Sequence, residues 1–162
     1  MIERLAVTLE SVEAAAPALA VADALKSADA SGRVSADVSR AVCAIRRRKL
    51  PDPARIGNAG SFFKNPVVPV AQAEALAARF PALPVFAARA PGQRKLSAGW
   101  LIENLGLRGY RDGDAGVAES HALVLVNHGE ATGAQIWQLA QFIRERVAGA
   151  YGVTLEPEPV IV

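Results

Sequence analysis

The sequence predicts an α+β fold. Helical and strand-like patterns mix along the chain without the regular strand–helix–strand alternation of a parallel sheet. Apolar residues make up 51% of the 162 residues, a fraction that excludes general disorder. A chain of this length buries roughly 70% of the surface that its unfolded form exposes, which is enough for a true hydrophobic core. We therefore expect one domain, or one domain and part of another.

Charge, hydropathy and cysteine content exclude several classes of protein. The net charge is only +2, with charges of both signs spread along the chain, so a general nucleic-acid binder is not expected. No apolar run approaches the ~20 residues of a membrane helix, and the first residues lack the pattern of an export signal. Cys43 is the only cysteine, and we expect a small buried side chain rather than a catalytic thiol. A cytoplasmic protein without nucleic-acid or membrane partners is the expectation.

The first fifty residues are predicted to belong to a different unit from the rest. Alternating apolar residues predict a strand within the first ten residues. Helical spacing then predicts a helix from about Ala36 to Arg48. Pro51 and Pro53 end that helix and form a stiff elbow. We place the domain boundary there, which divides the chain into residues 1–50 and 51–162.

Three helices are predicted downstream of this boundary. The first spans Val70–Phe80, where apolar residues recur at helical spacing. Ser97 is a suitable N-cap for the second helix, and Gly106 marks its end. Thr132 caps the third and longest helix, Gly133–Ala150, whose apolar residues form one continuous stripe.

Strands are predicted between and after these helices. The unbroken apolar run within Ala122–Asn127 predicts a strand that is buried on both faces. Two short strands are expected at Val153–Leu155 and Val160–Val162. The prolines and the glycine within Ala82–Arg94 predict a long irregular loop, of a length that often carries a binding function.

One stretch carries residue types suited to chemistry, the ten residues from Gly57 to Pro66 that read GNAGSFFKNP. Its two glycines allow a sharp turn immediately before Ser61. If the next two residues are strand-like, Phe62 and Phe63 point to opposite faces, so that one anchors in a core and the other walls a pocket. Two interpretations stay open, a glycine-rich turn that enters a hairpin and a loop that holds a proton-donating hydroxyl.

Four separated motifs stand out in the second unit: GNAGSFFKNP at 57–66, KLSAGWLI at 95–102, ALVLVN at 122–127 and LEPE at 155–158. In sequence and order they resemble the UDP-N-acetylenolpyruvoylglucosamine reductase family, the flavoenzymes that make UDP-N-acetylmuramate for peptidoglycan. The resemblance runs from about Ile45 to the C-terminus. It implies that residues 51–162 are the family's C-terminal substrate-binding domain, and that residues 1–50 are a remnant of its FAD-binding domain.

The resemblance also implies a reaction and its cofactors. The family reduces UDP-N-acetylglucosamine enolpyruvate with NADPH through bound FAD, and both cofactors are expected to need the missing N-terminal half. That half is the expected protein partner, and the chain alone is expected to be inactive. The alternative is a non-catalytic module that binds a UDP-sugar or docks on a partner. A nucleic-acid or protein-docking domain that uses Arg46–Lys49 is disfavoured by the even charge elsewhere.

The family's site residues carry over by position. Ser61 is expected to protonate the carbanion that forms on the substrate, and Glu158 to polarise the substrate. Arg46 and the Gly57–Gly60 loop are candidate contacts to the flavin, and no metal site is expected. The residues expected to bind the substrate are Lys49, Asn65, Phe86, Lys95, Arg108 and His121. Four positions depart from the lysine, tyrosine, glutamine and aliphatic residue that the family usually carries, namely Arg108, Phe86, His121 and Pro159.

Overall fold

The computed structural model describes residues 43–44 and 50–160, apart from the side chain of Ala59. The chain divides into two compact units, Met1–Lys49 and Leu50–Val162. All the strands and helices labelled below lie in the second unit.

Two residues of the first unit are described, Cys43 and Ala44, and both are helical. They fall inside the helix predicted from Ala36 to Arg48. The other residues of that helix, like the predicted N-terminal strand, lie outside the described residues. The prediction that Cys43 is buried is wrong, because its side chain is exposed. One step along a helix is a rotation of about 100°, so the residue after an apolar one such as Val42 can face solvent.

Residues 50–160 contain seven strands and three helices. The strands are β1 (Gly57–Ser61), β2 (Val67–Pro69), β3 (Val85–Ala87), β4 (Gln93–Leu96), β5 (Arg111–Asp112), β6 (Ala115–Val117) and β7 (Val124–Asn127), and the helices are α1 (Val70–Arg79), α2 (Ala98–Asn104) and α3 (Gly133–Tyr151). The strands form two sheets in which every pair is antiparallel, with the orders β1-β7-β6-β5 and β2-β4-β3. Antiparallel sheets with helices that do not alternate with the strands confirm the α+β class.

The larger sheet is covered on both faces. Leu125 of β7 packs in the main core with the buried stripe of α3. Val124 and Val126 lie on the opposite face in a smaller apolar cluster, against which Leu50 and Ile56 pack. Strand β7 is therefore buried on both faces, as its unbroken apolar run predicts.

The helix ends follow their local sequence signals. The backbone N–H of Trp100 donates to Ser97 Oγ at 3.2 Å, which caps α2. Thr132 and Gln135 form a capping box at the start of α3, and Gly152 ends α3 in the left-handed conformation with φ 64°. None of the helices in the described part of the chain is long and apolar enough to cross a membrane.

The region Ala82–Arg94 is not the single irregular loop that the sequence predicts. Strand β3 lies inside it, and β4 begins at Gln93. Strand β3 has only three residues, which is too short for a period-two pattern to appear in the sequence. The two strands stabilise each other by pairing, and the local composition does not indicate that pairing.

The short strands predicted near the C-terminus are not formed where the chain is described. Residues Val153–Leu155 and Val160 belong to no strand, and 161–162 lie outside the described residues. Pro157 makes one isolated bridge instead, to Phe63. Proline has no backbone N–H to donate, which limits a proline-rich segment to such isolated pairing.

Candidate active site

A β-bulge in β1 sets the direction of Ser61. Asn58 pairs with Val126 and Ser61 with Val124, so three steps along β1 match two steps along β7. Directly paired residues share a face of the sheet, which places Ser61 on the same face as Val124 and Val126. In a regular strand, residues three apart lie on opposite faces. The extra residue therefore turns Ser61 toward the face that carries the smaller apolar cluster.

Gly60 supplies the backbone conformation of this bulge. Its φ is 77°, in the left-handed region that glycine reaches without a Cβ clash. Gly57 is not among the residues with positive φ, so the two glycines of the motif have different roles. The alternative interpretation of a hairpin turn is wrong, because β1 pairs with β7, far along the chain.

The side chain of Asn58 holds both flanks of the bulge. Asn58 Oδ1 accepts a hydrogen bond from the N–H of Gly60 at 3.0 Å. Asn58 Nδ2 donates to the carbonyl oxygens of Ile56 at 3.0 Å and of Pro51 at 3.3 Å. Asn58 was not among the residues individually predicted to have a role at the site. A signal was present, because asparagine commonly bonds to the backbone N–H two residues on.

The two phenylalanines after Ser61 both anchor the loop. Phe62 and Phe63 pack in the main core, edge to face, with ring centroids 5.2 Å apart. Phe62 also lines a cavity of about 670 Å³. As predicted, Phe63 anchors in the core and Phe62 lines a cavity; Phe62 is buried in the main core as well, because it lies beyond the end of β1, where strand alternation stops.

The Glu158 segment runs beside the Ser61 loop. The backbone N–H of Glu158 donates to the carbonyl of Phe62 at 2.8 Å, and the N–H of Lys64 donates to the carbonyl of Glu156 at 2.9 Å. The main chain of Glu158 therefore touches the residue that follows Ser61. The Glu158 side chain is exposed, which leaves its carboxyl group accessible. Lys64 Nζ lies 3.9 Å from the Glu156 carboxylate, an exposed pair of little energetic weight.

Asn65 and His121 both lie at the start of α2. Asn65 Oδ1 accepts the N–H of Ala98 at 2.9 Å, while its Nδ2 makes no hydrogen bond within residues 50–160. The ring of His121 lies beside Gly99 in the first turn of α2. His121 Nδ1 accepts the N–H of Leu123 at 3.2 Å, so the neutral ring carries its proton on Nε2. Both side chains are half-buried.

Phe86 and Lys95 are direct partners across the smaller sheet. They pair between β3 and β4, and Lys95 pairs on its other side with Val67 of β2. Paired residues share a face, so an aromatic ring, an ammonium group and an aliphatic side chain form one row. Val67 is 50% exposed, and Phe86 and Lys95 are half-buried.

One predicted contact, Arg108, does not join this group, and two others lie outside the described residues. Asn65 lies at the start of α2, whereas Arg108 follows the end of that helix. Because a helix of seven residues is roughly 10 Å long, the two residues lie at opposite ends of it. Its Nη1 lies 2.7 Å from Glu103 Oε1 in an ion pair whose partners are both half-exposed. Lys49 and Arg46 lie outside the described residues.

Two cavities adjoin the loop that contains Ser61. The cavity of about 670 Å³ is lined by Asn58 and Phe62, the start of α3 and Pro159. The other, of about 420 Å³, is lined by residues that include Lys64 and Asn65. Neither of these two is lined by Ser61 or Glu158. Across the described ranges, no three His, Cys, Asp or Glu side chains group as metal ligands.

Known proteins resemble this chain closely over most of its length. A UDP-N-acetylenolpyruvoylglucosamine reductase from Chromobacterium violaceum is 64% identical over 125 residues, which cover 77% of this chain and 36% of the relative. One from Pseudomonas aeruginosa is 61% identical over 123 residues, 76% of this chain and 36% of the relative. The chain thus spans about a third of the length of the relatives it matches.

A solved structure and a family description complete the comparison. The crystal structure of the reductase from Thermus caldophilus has 29% sequence identity to this chain and a TM-score of 0.42. The match covers 76% of this chain and 34% of the solved chain. Residues 52–162 match the family described as UDP-N-acetylenolpyruvoylglucosamine reductase, C-terminal domain. The chain therefore belongs to the UDP-N-acetylenolpyruvoylglucosamine reductase family, through that C-terminal domain.

Proposed function

We propose that this chain is the substrate-binding part of an NADPH-dependent flavoenzyme that reduces UDP-N-acetylglucosamine enolpyruvate to UDP-N-acetylmuramate. This reaction supplies cytoplasmic peptidoglycan synthesis, and through it cell wall biogenesis, cell shape and cell division. The supporting observation is that two family motifs, far apart in sequence, are hydrogen-bonded to each other. The N–H of Glu158 donates to the carbonyl of Phe62 at 2.8 Å, directly after Ser61.

Residues 50–160 do not by themselves fit a flavin. They contain no buried charged or polar side chain, and the sequence has no G-x-G-x-x-G turn to hold a pyrophosphate. FAD, which supplies the hydride when bound, and the NADPH that reduces it would be held by residues elsewhere in the enzyme. Arg46 and the Gly57–Gly60 loop are the candidate contacts from this chain. We therefore expect the chain alone to be inactive.

Ser61 is proposed as the proton donor. Reduction of the enolpyruvyl double bond adds a proton to the carbon that becomes electron-rich, and the Ser61 hydroxyl gives that proton and recovers one from solvent. A serine hydroxyl is a weak acid, so the transfer needs a fixed position and a stabilised alkoxide. The bulge fixes the position, since it sets the face on which Ser61 lies.

Glu158 is proposed to polarise the substrate beside Ser61. The substrate carries a carboxylate next to its double bond, and two anions repel each other. A hydrogen bond from Glu158 to this carboxylate therefore requires a proton to be shared between the two groups in the complex. Pro157 and Pro159 restrict the backbone on both sides of it. The hydrogen bond from its N–H to Phe62 places this stiff segment at the Ser61 loop.

The row of Phe86 and Lys95 is proposed to bind the nucleotide portion of the substrate. A UDP-sugar presents a planar base and an anionic pyrophosphate, which match a ring face and an ammonium group. Asn65 can add its Nδ2 as a donor. The remaining substrate contacts are proposed for Arg108, His121 and Lys49.

A second function, binding without catalysis, has one observation in its favour. The chain spans 36% of the length of the Chromobacterium violaceum relative and residues 50–160 do not fit a flavin, whereas holding a UDP-sugar or docking on a partner needs no cofactor. Catalysis then belongs to another polypeptide. The enzyme and a UDP-sugar-binding module both predict binding of a UDP-sugar, a docking module does not, and only the enzyme predicts activity when the rest of the enzyme is supplied.

Two measurements test these proposals in order. The full chain is titrated with UDP-N-acetylglucosamine by calorimetry, and no heat at millimolar ligand would count against the enzyme and the UDP-sugar-binding module, and leave the docking module. The chain is then inserted into a chimera, where it replaces the matching stretch of the Chromobacterium violaceum relative, and substrate-dependent NADPH oxidation is assayed. Activity lost in Ser61→Ala and kept in the exposed control Ser120→Ala supports the enzyme. Activity that survives Ser61→Ala removes Ser61 from its role.

A further inference from the structure

We propose that Asn58 is a positioning residue for the Ser61 hydroxyl. Its carboxamide fixes the β-bulge that decides on which face of the sheet Ser61 lies. The inference rests on the proposed function, because it assigns Asn58 an effect on proton transfer through Ser61. Asn58 touches neither substrate nor reacting atoms in this assignment.

The hydrogen bonds of Asn58 bracket the bulge from both sides. Oδ1 accepts the N–H of Gly60, which lies inside the bulge, and Nδ2 donates to the carbonyls of Ile56 and Pro51, which precede β1. The orientation of the amide is unambiguous, because a carbonyl oxygen can only accept and a backbone N–H can only donate. One side chain therefore ties the left-handed residue to the segment that enters the strand.

The same hydrogen bonds favour a positioning role for Asn58 over a ligand-binding role. The two N–H groups of Nδ2 are both committed to main-chain carbonyls, at 3.0 Å and 3.3 Å. Asn58 therefore has no donor left for a ligand, although it lies at the wall of the larger cavity. Three of its hydrogen-bonding positions hold the main chain, and only the second lone pair of Oδ1 is left over.

Loss of the bulge has a definite consequence for Ser61. Side chains alternate with period two, so a slip of one residue moves a side chain to the other face. Ser61 now shares the face of Val124. Without the extra residue it would turn to the face that α3 covers, where Leu125 lies in the main core. The hydroxyl would then leave the face on which it is half-exposed.

The test compares two variants in the chimera described above. Asn58→Asp keeps the acceptor for Gly60 and loses both donors, and Asn58→Ala loses all three hydrogen bonds. We expect kcat to fall by about 10- to 100-fold, as for a small misplacement of a reacting group, while KM changes by less than about 2-fold. Asn104→Ala is the matched control, because it removes one hydrogen bond, to Tyr151 at 2.8 Å, far along the chain from Ser61. Its kcat should stay unchanged.

A double-mutant cycle decides whether the effect passes through Ser61. If it does, the double variant Ser61→Ala/Asn58→Asp should have the same kcat as Ser61→Ala alone. Two results would overturn the inference and leave the proposed function standing: a kcat of the double variant that is reduced by the product of the two single losses, or a rise in KM with kcat unchanged. An inactive parent chimera would overturn both. If Asn58→Ala does not fold, Asn58→Asp carries the test, and faster hydrogen exchange at the Gly60 amide of the full chain should accompany its loss of kcat.

Discussion

The two glycines of the signature motif should respond to alanine in opposite directions. Gly60 has φ 77°, and an added Cβ would meet nothing within 4 Å, so its only obstacle is the left-handed backbone. Gly57 is not left-handed, and its added Cβ would lie 3.5 Å from the Cβ of Asn127, an ordinary contact. Gly60→Ala and Gly57→Ala thus separate backbone strain from steric fit within one strand.

The magnitudes follow from two opposing terms. An alanine in the left-handed region costs roughly 1–2 kcal/mol relative to glycine. Any glycine-to-alanine change also stabilises by roughly 0.4–1 kcal/mol, because the unfolded chain loses conformational freedom. Gly60→Ala should therefore lower the free energy of unfolding by about 1 kcal/mol, while Gly57→Ala should raise it by about 0.5 kcal/mol. For a domain of this size, a change of 1 kcal/mol moves Tm by about 4 °C.

Urea unfolding of the full chain, followed by tryptophan fluorescence, measures both changes. The two tryptophans, Trp100 and Trp137, pack against the main core and report on the second unit. An unchanged m-value is the condition for comparing the variants, because m reflects the surface exposed on unfolding. If Gly60→Ala and Gly57→Ala changed the free energy of unfolding equally, the left-handed conformation of Gly60 would be refuted. The β-bulge and the position of Ser61 on the face of Val124 would be refuted with it.

Three further changes test other parts of the molecule. Phe63→Ala should lower the free energy of unfolding by about 3–5 kcal/mol in urea titrations, since the ring is only 1% exposed, and a loss below 1 kcal/mol would contradict its role as an anchor. Asn65→Ala should cost about 1 kcal/mol through the lost cap of Ala98, whereas Asn65→Asp keeps the acceptor and should cost less by the same titration. Glu103→Gln should change stability by less than about 0.5 kcal/mol and, by calorimetry, strengthen UDP-sugar binding, because it releases Arg108. Unchanged affinity would place Arg108 outside the binding site.

The helices were predictable because their signals are local. Ser97 and Thr132 accept backbone N–H groups three residues ahead, and Gly152 takes the left-handed conformation that ends α3. Each signal needs only a few neighbouring residues to act. Strand β3 was missed because its three residues are ordered by partners in β4, and a sequence pattern contains no information about pairing.

The candidate site was predictable in its residue types and only partly in its geometry. The resemblance named Ser61 and Glu158, but no spacing rule shows that Phe62 and Glu158 share a hydrogen bond. The pairing of Phe86 with Lys95 was equally hidden, because it depends on the register of two strands that the sequence did not reveal. The roles of these residues stay predictions until binding and activity are measured.

One irregularity in β1 meets two requirements that a regular strand could not meet together. Among residues 50–160, strand β1 is the edge of its sheet, and an exposed regular edge invites pairing with other chains. The bulge between Asn58 and Ser61 interrupts that edge and increases its twist. The same extra residue keeps Ser61 half-exposed on the face of Val124, whereas Phe62 and Phe63 immediately after it are buried. The Ser61 hydroxyl, which must be both fixed and accessible, is thus held between the bulged edge strand and the buried phenylalanines. A change that regularised the edge by removing the bulge should be selected against wherever Ser61 is needed.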